Sequence, residues 1–173
     1  SWAKRRRLWR VQQGKNVARH RNASPRKPRL LLVVGNEDSL DLSSEVRRME
    51  ELTSSGRIEL TVLRGQTCSS DGIRQELGQP KGWDALIFLG HSEADPGNGG
   101  RLQLGDNSWI SAQALDEELE TAVNNGLRVV LLNSCSGLNW AQRSLQFGVS
   151  WAVCFREVVP STDAADSFHK IMI

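Results

Sequence analysis

Residues 127–133 read LRVVLLN, an apolar run of strand length that stops on an asparagine. A run of this kind marks a strand buried on both faces, as the strands of a parallel sheet are. Two others match it, LLLVVG at 30–35 and DALIFLG at 84–90. IELTVL at 58–63 alternates, and VSWAVCF at 149–155 supplies a fifth strand. Helical spacing fills the intervals. In SSEVRRMEELTS (43–54), Val46, Met49 and Leu52 share one face, with Ser43 or Ser44 placed to cap the helix. SSDGIRQEL (69–77), SAQALDEELETAVNN (111–125) and residues 138–147 predict three more helices, and TDAADSFHKIM (162–172) begins a last one. The second of these stops near Asn125-Gly126, a usual helix ending. RLQLGDNSWI (101–110) predicts a small hairpin turning at Gly105-Asp106-Asn107. This alternation implies an α/β fold, with a mostly parallel sheet, right-handed crossovers and helices on both faces.

The 173 residues suit one domain with a tail, and 39% hydrophobic with 24% charged residues is ordinary for a globular chain. The net charge of +2 conceals an asymmetry. Residues 1–29 hold eleven of the 22 Lys and Arg and no acid, so residues 30–173 carry eleven basic against twenty acidic side chains. The expected organisation is therefore a basic leader, 1–29, and a globular domain, 30–173. The leader lacks sustained apolar periodicity, and Pro25 and Pro28 interrupt its end, which predicts a solvated linker. Two sharper roles compete. Lys4, Arg5, Arg6 and Arg7 between Trp2 and Trp9 suit a juxtamembrane segment against anionic headgroups. The same charges could meet nucleic acid, but the flanking tryptophans favour the membrane.

Cys68, Cys135 and Cys154 are widely spaced, with no CxxC pair. That argues against a disulfide framework and against a zinc site, and predicts no metal and no cofactor. It fits a reducing, cytoplasmic setting. No run of 18 apolar residues occurs, so membrane tethering would need a segment upstream. The chain opens on Ser1 and breaks off at Ile173 within an expected helix, so it is expected to be part of something longer.

In a parallel sheet the crevice lies beyond the carboxyl ends of the strands. His91 in IFLGHSE and Cys135 in LLNSCSGLNW each follow a buried strand, so both fall on that edge. A thiol in the turn before a helix meets oriented amides that favour thiolate. A loop imidazole can act as its base and as the leaving-group acid, and backbone N–H groups of Ser92 and Cys135 can form an oxyanion hole. The spacing alone also allows a bland reading, a cysteine packing as a small hydrophobe and a histidine serving as a loop residue. Cys68 in a polar loop and Cys154 within a strand are weaker nucleophile candidates. His169 lies on a late helix and His20 in the leader.

FLGHS and LLNSCSG, whose His91 and Cys135 stand 44 residues apart, resemble the paired motifs of caspase-like cysteine proteases of clan CD. Between them, LQLGDNSWISAQAL fits an L-x-L-x-D-x-x-x-(I/L)-x-A-x-x-L run through Leu102, Leu104, Asp106, Ile110, Ala112 and Leu115. That run is similar to one in the CHAT family, bacterial caspase-like domains of signalling and defence proteins. The resemblance covers about residues 30–173. It implies a caspase-like, flavodoxin-like sheet. It also implies a cysteine endopeptidase with His91 as acid/base and Cys135 as nucleophile, acting on a protein or peptide substrate. The sequence departs from the family in carrying Ser92 where Gly follows the His, and Asn133-Ser134 before the Cys. Related basic-specific enzymes have an acid two before the Cys, lining the specificity pocket, and Asn133 lacks that charge. Glu37 and Asp38 after the first strand could supply acid to the pocket, or form an exposed pair ahead of a helix. The family's last strand is expected beyond Ile173.

Only residues 138–148 separate the Cys135 loop from the next strand, and they read as helix. Activation is therefore expected through a regulatory domain or oligomer rather than by cleavage there. The alternative function is a catalytically inactive α/β signalling or interaction domain. A receiver domain would need an acidic phospho-acceptor at a strand end, where His91 and Asn133-Ser134-Cys135 stand. A nucleotide site would need a glycine-rich loop, where GNEDS (35–39) carries one glycine and two acids.

Overall fold

The computed structural model describes residues 9–13, 26–38, 40–95, 97–98 and 100–155, with residues 9–13 and Phe155 given by their backbone. Five strands run parallel: β2 (Arg29–Val34), β3 (Glu59–Leu63), β4 (Ala85–Leu89), β8 (Val129–Asn133) and β9 (Trp151–Phe155). β1 (Trp9–Gln13) lies antiparallel on β9, and the sheet order is β1-β9-β8-β4-β2-β3. A separate three-stranded piece holds β5 (Ser92–Glu93), β6 (Arg101–Gln103) and β7 (Trp109–Ser111). The helices are α1 (Ser43–Ser54), α2 (Ser70–Leu77), α3 (Asp116–Asn124) and α4 (Leu138–Gln146), with 3₁₀ turns at Gly65–Thr67 and Gln113–Leu115.

The burial explains the apolar runs. In β2, Leu30, Leu32 and Val34 pack with Val46, Met49 and Leu52 of α1 on one face of the sheet. Leu31 and Val33 join Ile73 and Leu77 of α2, Leu119 and Ala122 of α3, and Trp140 and Ala141 of α4 on the other. Both faces are covered, so every position of the strand is free to be apolar. The α/β class expected from the sequence is the fold observed.

Three details depart from the sequence reading. Trp9–Gln13, expected within a linker, forms β1. An edge strand needs only main-chain pairing to one neighbour and tolerates charge, so it leaves no apolar signature. Neither Ser43 nor Ser44 caps α1. Asp41 accepts from the Ser43 N–H at 3.1 Å instead, which lowers its pKa. The expected helix at 111–125 opens as a 3₁₀ turn and becomes α-helical at Asp116. The expected helix at 162–172 and the charges of Lys4–Arg7 lie outside the described residues.

Counted along the chain, the parallel strands stand in the order 2-1-3-4-5. The chain leaves β2 toward β3 on one side and then returns past β2 to β4 on the other, so a crevice opens between the ends of β2 and β4. The β6–β7 hairpin folds over this point. Its Leu102, Leu104 and Ile110 are buried in the core, each contributing about 1.5–3 kcal/mol. Gly35 and Gly90 make the close approach possible. A Cβ on Gly35 would sit 2.3 Å from the Gln103 carbonyl oxygen. Gly90, at φ +148, would place one 3.1 Å from the Phe88 ring and 3.2 Å from Gly35.

Candidate active site

β4 and β8 are hydrogen-bonded neighbours in register, with Leu89 opposite Asn133. His91 and Cys135 each lie two residues past that pair. The sheet therefore delivers both to the same edge on adjacent strands, about 4.8 Å apart at the strand level. Two hydrogen bonds extend the pairing beyond the strands. The Gly90 N–H donates to the Asn133 carbonyl at 3.3 Å, and the Ser136 N–H donates to Ser92 Oγ at 2.9 Å. The second ties the residue after the histidine to the residue after the cysteine. A glycine in place of Ser92 could not make it.

The His91 ring is held from the side of β2. Its Nε2 lies 2.9 Å from the backbone carbonyl oxygen of Asp38. A carbonyl only accepts, so Nε2 carries the proton. In the neutral ring Nδ1 is then the lone-pair nitrogen, the state a base for a thiol needs. The His91 carbonyl accepts from the Gln103 N–H at 3.0 Å. Strand alternation then turns the Ser92 N–H away from β6, so the hairpin ladder does not consume it.

The three thiols differ. Cys135 is half-buried in the turn that precedes α4, whose N-cap is Gly137. Cys68 is fully buried, and burial pushes its pKa up to about 11 against a partial offset from a backbone hydrogen bond at Gly105. Such a thiol stays protonated near neutrality. Cys154 is buried within β9. No group of three or more His, Cys, Asp and Glu side chains suited to a metal occurs among the described residues.

The structure gives the expected pocket residues separate tasks. Both carboxylate oxygens of Glu37 are taken by the Arg64 guanidinium, at 2.7 and 2.8 Å, so its charge is already matched. Asp38 is exposed and acts on His91 through its main chain. Asn133 is buried at 5% exposure, and its Oδ1 has no hydrogen-bond partner among the described residues, nor has the buried Ser134 Oγ. Both oxygens are enclosed in the two residues that precede Cys135. A polar groove of about 390 Å³ runs along α4, lined by Asn98, Gln113, Asn139, Gln142, Arg143 and Gln146. Sequence reasoning missed this groove. Its only trace was the polar i, i+3, i+4, i+7 face of α4 formed by Asn139, Gln142, Arg143 and Gln146.

No family model matches the chain, and no curated protein does. Among solved structures it is similar to the beta-glucoside phosphorylase BglX, at 14% identity and a TM-score of 0.42, over 97% of this chain and 28% of that one. It is also similar to protein GSU0716 from Geobacter sulfurreducens, at 14% identity and a TM-score of 0.42, over 85% of this chain and 63% of that one. The chain thus spans less than two thirds of either neighbour. Likeness at this level does not bear on what the chain does. Among the described residues no helix is long and apolar enough to cross a membrane.

Proposed function

We propose that this domain is a cysteine endopeptidase of the caspase-like group, of CHAT type, working through His91 and Cys135. The observation that carries the reading is the hydrogen bond of His91 Nε2 to the Asp38 carbonyl, at the sheet edge where the loops after β4 and β8 carry His91 and Cys135. It selects the tautomer in which Nδ1 can accept a proton.

The chemistry follows from these roles. The Cys135 thiol gives its proton to His91 and its sulfur attacks the scissile carbonyl carbon, forming a C–S bond and an oxyanion. Backbone N–H groups of Ser92 and Cys135 receive the oxyanion. The tetrahedral centre collapses, the C–N bond breaks, and His91 returns the proton to the leaving amine. Water, deprotonated by His91, then hydrolyses the thioester and frees the acid and the thiol. The amides along α4 suit an extended peptide main chain. α4 is a packed helix with Trp140 and Ala141 buried, which supports activation by a neighbouring domain or oligomer in place of a cut after Cys135. A signalling or defence role in a bacterial protein, with the Lys4–Arg7 run contacting a membrane, belongs to the same proposal.

The test is a panel of fluorogenic peptides and an activity-based thiol probe, applied to the wild type, Cys135→Ala and His91→Ala. Cleavage or labelling by the wild type that both variants lose is the expected result. Identical behaviour of all three, with candidate activators present, would make this edge structural and the domain an interaction module.

A further inference from the structure

Asn36 is a polar side chain buried at 5% exposure, directly after β2 and Gly35. Four hydrogen bonds link it to His91 in a closed ring. The Asn36 N–H donates to the Gln103 carbonyl at 3.2 Å, and the Gln103 N–H donates to the His91 carbonyl at 3.0 Å. His91 Nε2–H donates to the Asp38 carbonyl at 2.9 Å, and the Asp38 N–H donates to Asn36 Oδ1 at 2.8 Å. The histidine is thus held at its backbone through Gln103 and at its ring through Asp38, and both supports end on Asn36.

The rest of the side chain locks this arrangement. Nδ2 donates to Asp38 Oδ2 at 3.2 Å and to Asn107 Oδ1 at the hairpin tip. An acceptor from Asn36 to the N–H two residues on is an Asx turn, which fixes the path of the chain through Asp38. That path decides where the Asp38 carbonyl points. The donors on Nδ2 fix which way the amide faces, so Oδ1 meets the Asp38 N–H and not its carboxylate. Apart from the His91 ring that it holds, Asp38 is bonded among the described residues by no side chain but Asn36.

We propose that Asn36 is the positioning residue for His91. Through the turn at Asp38 it places the carbonyl that holds Nε2–H, and so keeps Nδ1 as the lone-pair nitrogen. The proposal deepens the protease reading and rests on it for its catalytic meaning. Its test needs no substrate, so the two can fail separately.

Long-range ¹H–¹⁵N correlation spectra of the full chain report the tautomer of His91, assigned with His91→Gln. The wild type should show a protonated Nε2 and an unprotonated Nδ1. Asn36→Ala should show mixed tautomers, and alkylation of Cys135 by iodoacetamide should slow by about 10-fold to 100-fold, part of what a positioned base contributes. Asn36→Ser keeps an acceptor for the Asp38 N–H but cannot reach Asn107, and it should retain the wild-type tautomer. Asn107→Gly cuts the hairpin tie and suits the φ of +68 at that position, so it too should retain it. A wild type protonated on Nδ1, or a folded Asn36→Ala with the Nε2–H tautomer intact, would overturn the proposal. If Asn36→Ala does not fold, Asn36→Ser decides. A folded Asn36→Ser with mixed tautomers would show that the ring depends on the hairpin and not on the turn. A substrate panel that fails while these spectra behave as expected would remove the protease and leave the positioning.

Discussion

Cys68 should be at least two orders of magnitude less reactive than an open thiol, and the reason is burial. It is fully enclosed beneath the hairpin, and its pKa is pushed up to about 11. At pH 7 such a thiol is ionised to roughly one part in ten thousand, while an open thiol of pKa about 8.5 is ionised to about 3%. Since the thiolate is the nucleophile, ionisation alone slows Cys68 by about 300-fold, and the lack of access slows it further. Native protein treated with iodoacetamide at pH 7, quenched at intervals and mapped by mass spectrometry, should carry its first label on the half-buried Cys135. The same burial has a signature in stability. The folded-state pKa lies above that of an open thiol because burial disfavours the thiolate, so the folded chain holds this proton more tightly than the unfolded one. Its contribution is complete below pH about 9 and is lost as pH rises through about 11, a change on the order of 2–3 kcal/mol. The chain has no tyrosine to titrate in that window. Urea unfolding at intervals from pH 8 to 11 should show the decline, and Cys68→Ala should remove it. Labelling of Cys68 as fast as Cys135 in the native state, or an alkaline decline unchanged in Cys68→Ala, would refute the reasoning.

Other expectations follow from single contacts. Ser92→Gly removes the acceptor for the Ser136 N–H and should lower stability by about 1 kcal/mol while slowing Cys135 alkylation. Unfolding and labelling of one sample check both, and unchanged labelling would mean the tie does not order the thiol. Leu104→Ala empties a fully buried position under the hairpin and should cost about 2–5 kcal/mol in urea unfolding. Arg64→Ala frees Glu37 but breaks only a partly exposed pair, so it should cost no more than about 1 kcal/mol. Asn133→Asp places a carboxylate two residues before Cys135 and should turn the cleavage preference toward Lys or Arg, read from the same peptide panel.

The strand runs were legible because a parallel strand covered on both faces has no polar positions to confuse the pattern. β2, β4 and β8 begin and end within a residue or two of the apolar runs that announce them. β1 was not legible, since main-chain pairing at an edge demands no particular side chains. His91 and Cys135 could be placed on one edge because each follows such a run. Their supports could not. GNEDS reads as a polar loop, and nothing in its order says that Asn36 is buried, that Glu37 faces Arg64, or that Asp38 contributes a carbonyl. The Glu37 pair depends on β3 lying beside β2, and the burial of Asn36 on a hairpin nearly seventy residues further on folding back over the end of β2.

That hairpin also explains what its own sequence can and cannot say about function. The run from Leu102 to Leu115 carries the narrowest resemblance to CHAT domains. In the structure Leu102, Leu104, Ile110, Ala112 and Leu115 are all buried at 4% exposure or less. Asp106 closes the turn by accepting from the Ser108 N–H at 2.9 Å and from its hydroxyl at 2.6 Å. Every matching position is thus used for packing or for turning the chain. The run therefore argues for a way of covering the sheet edge, which an inactive domain would need as much as a protease. The case for catalysis rests on fewer atoms: the Cys135 sulfur, the His91 ring, and the Asp38 carbonyl that selects its tautomer. For that reason the state of the His91 ring tests the proposed base directly, as no further likeness in the hairpin can. A protease of the proposed kind needs Nδ1 free to take the thiol proton, so a ring found protonated on Nδ1 would remove the base.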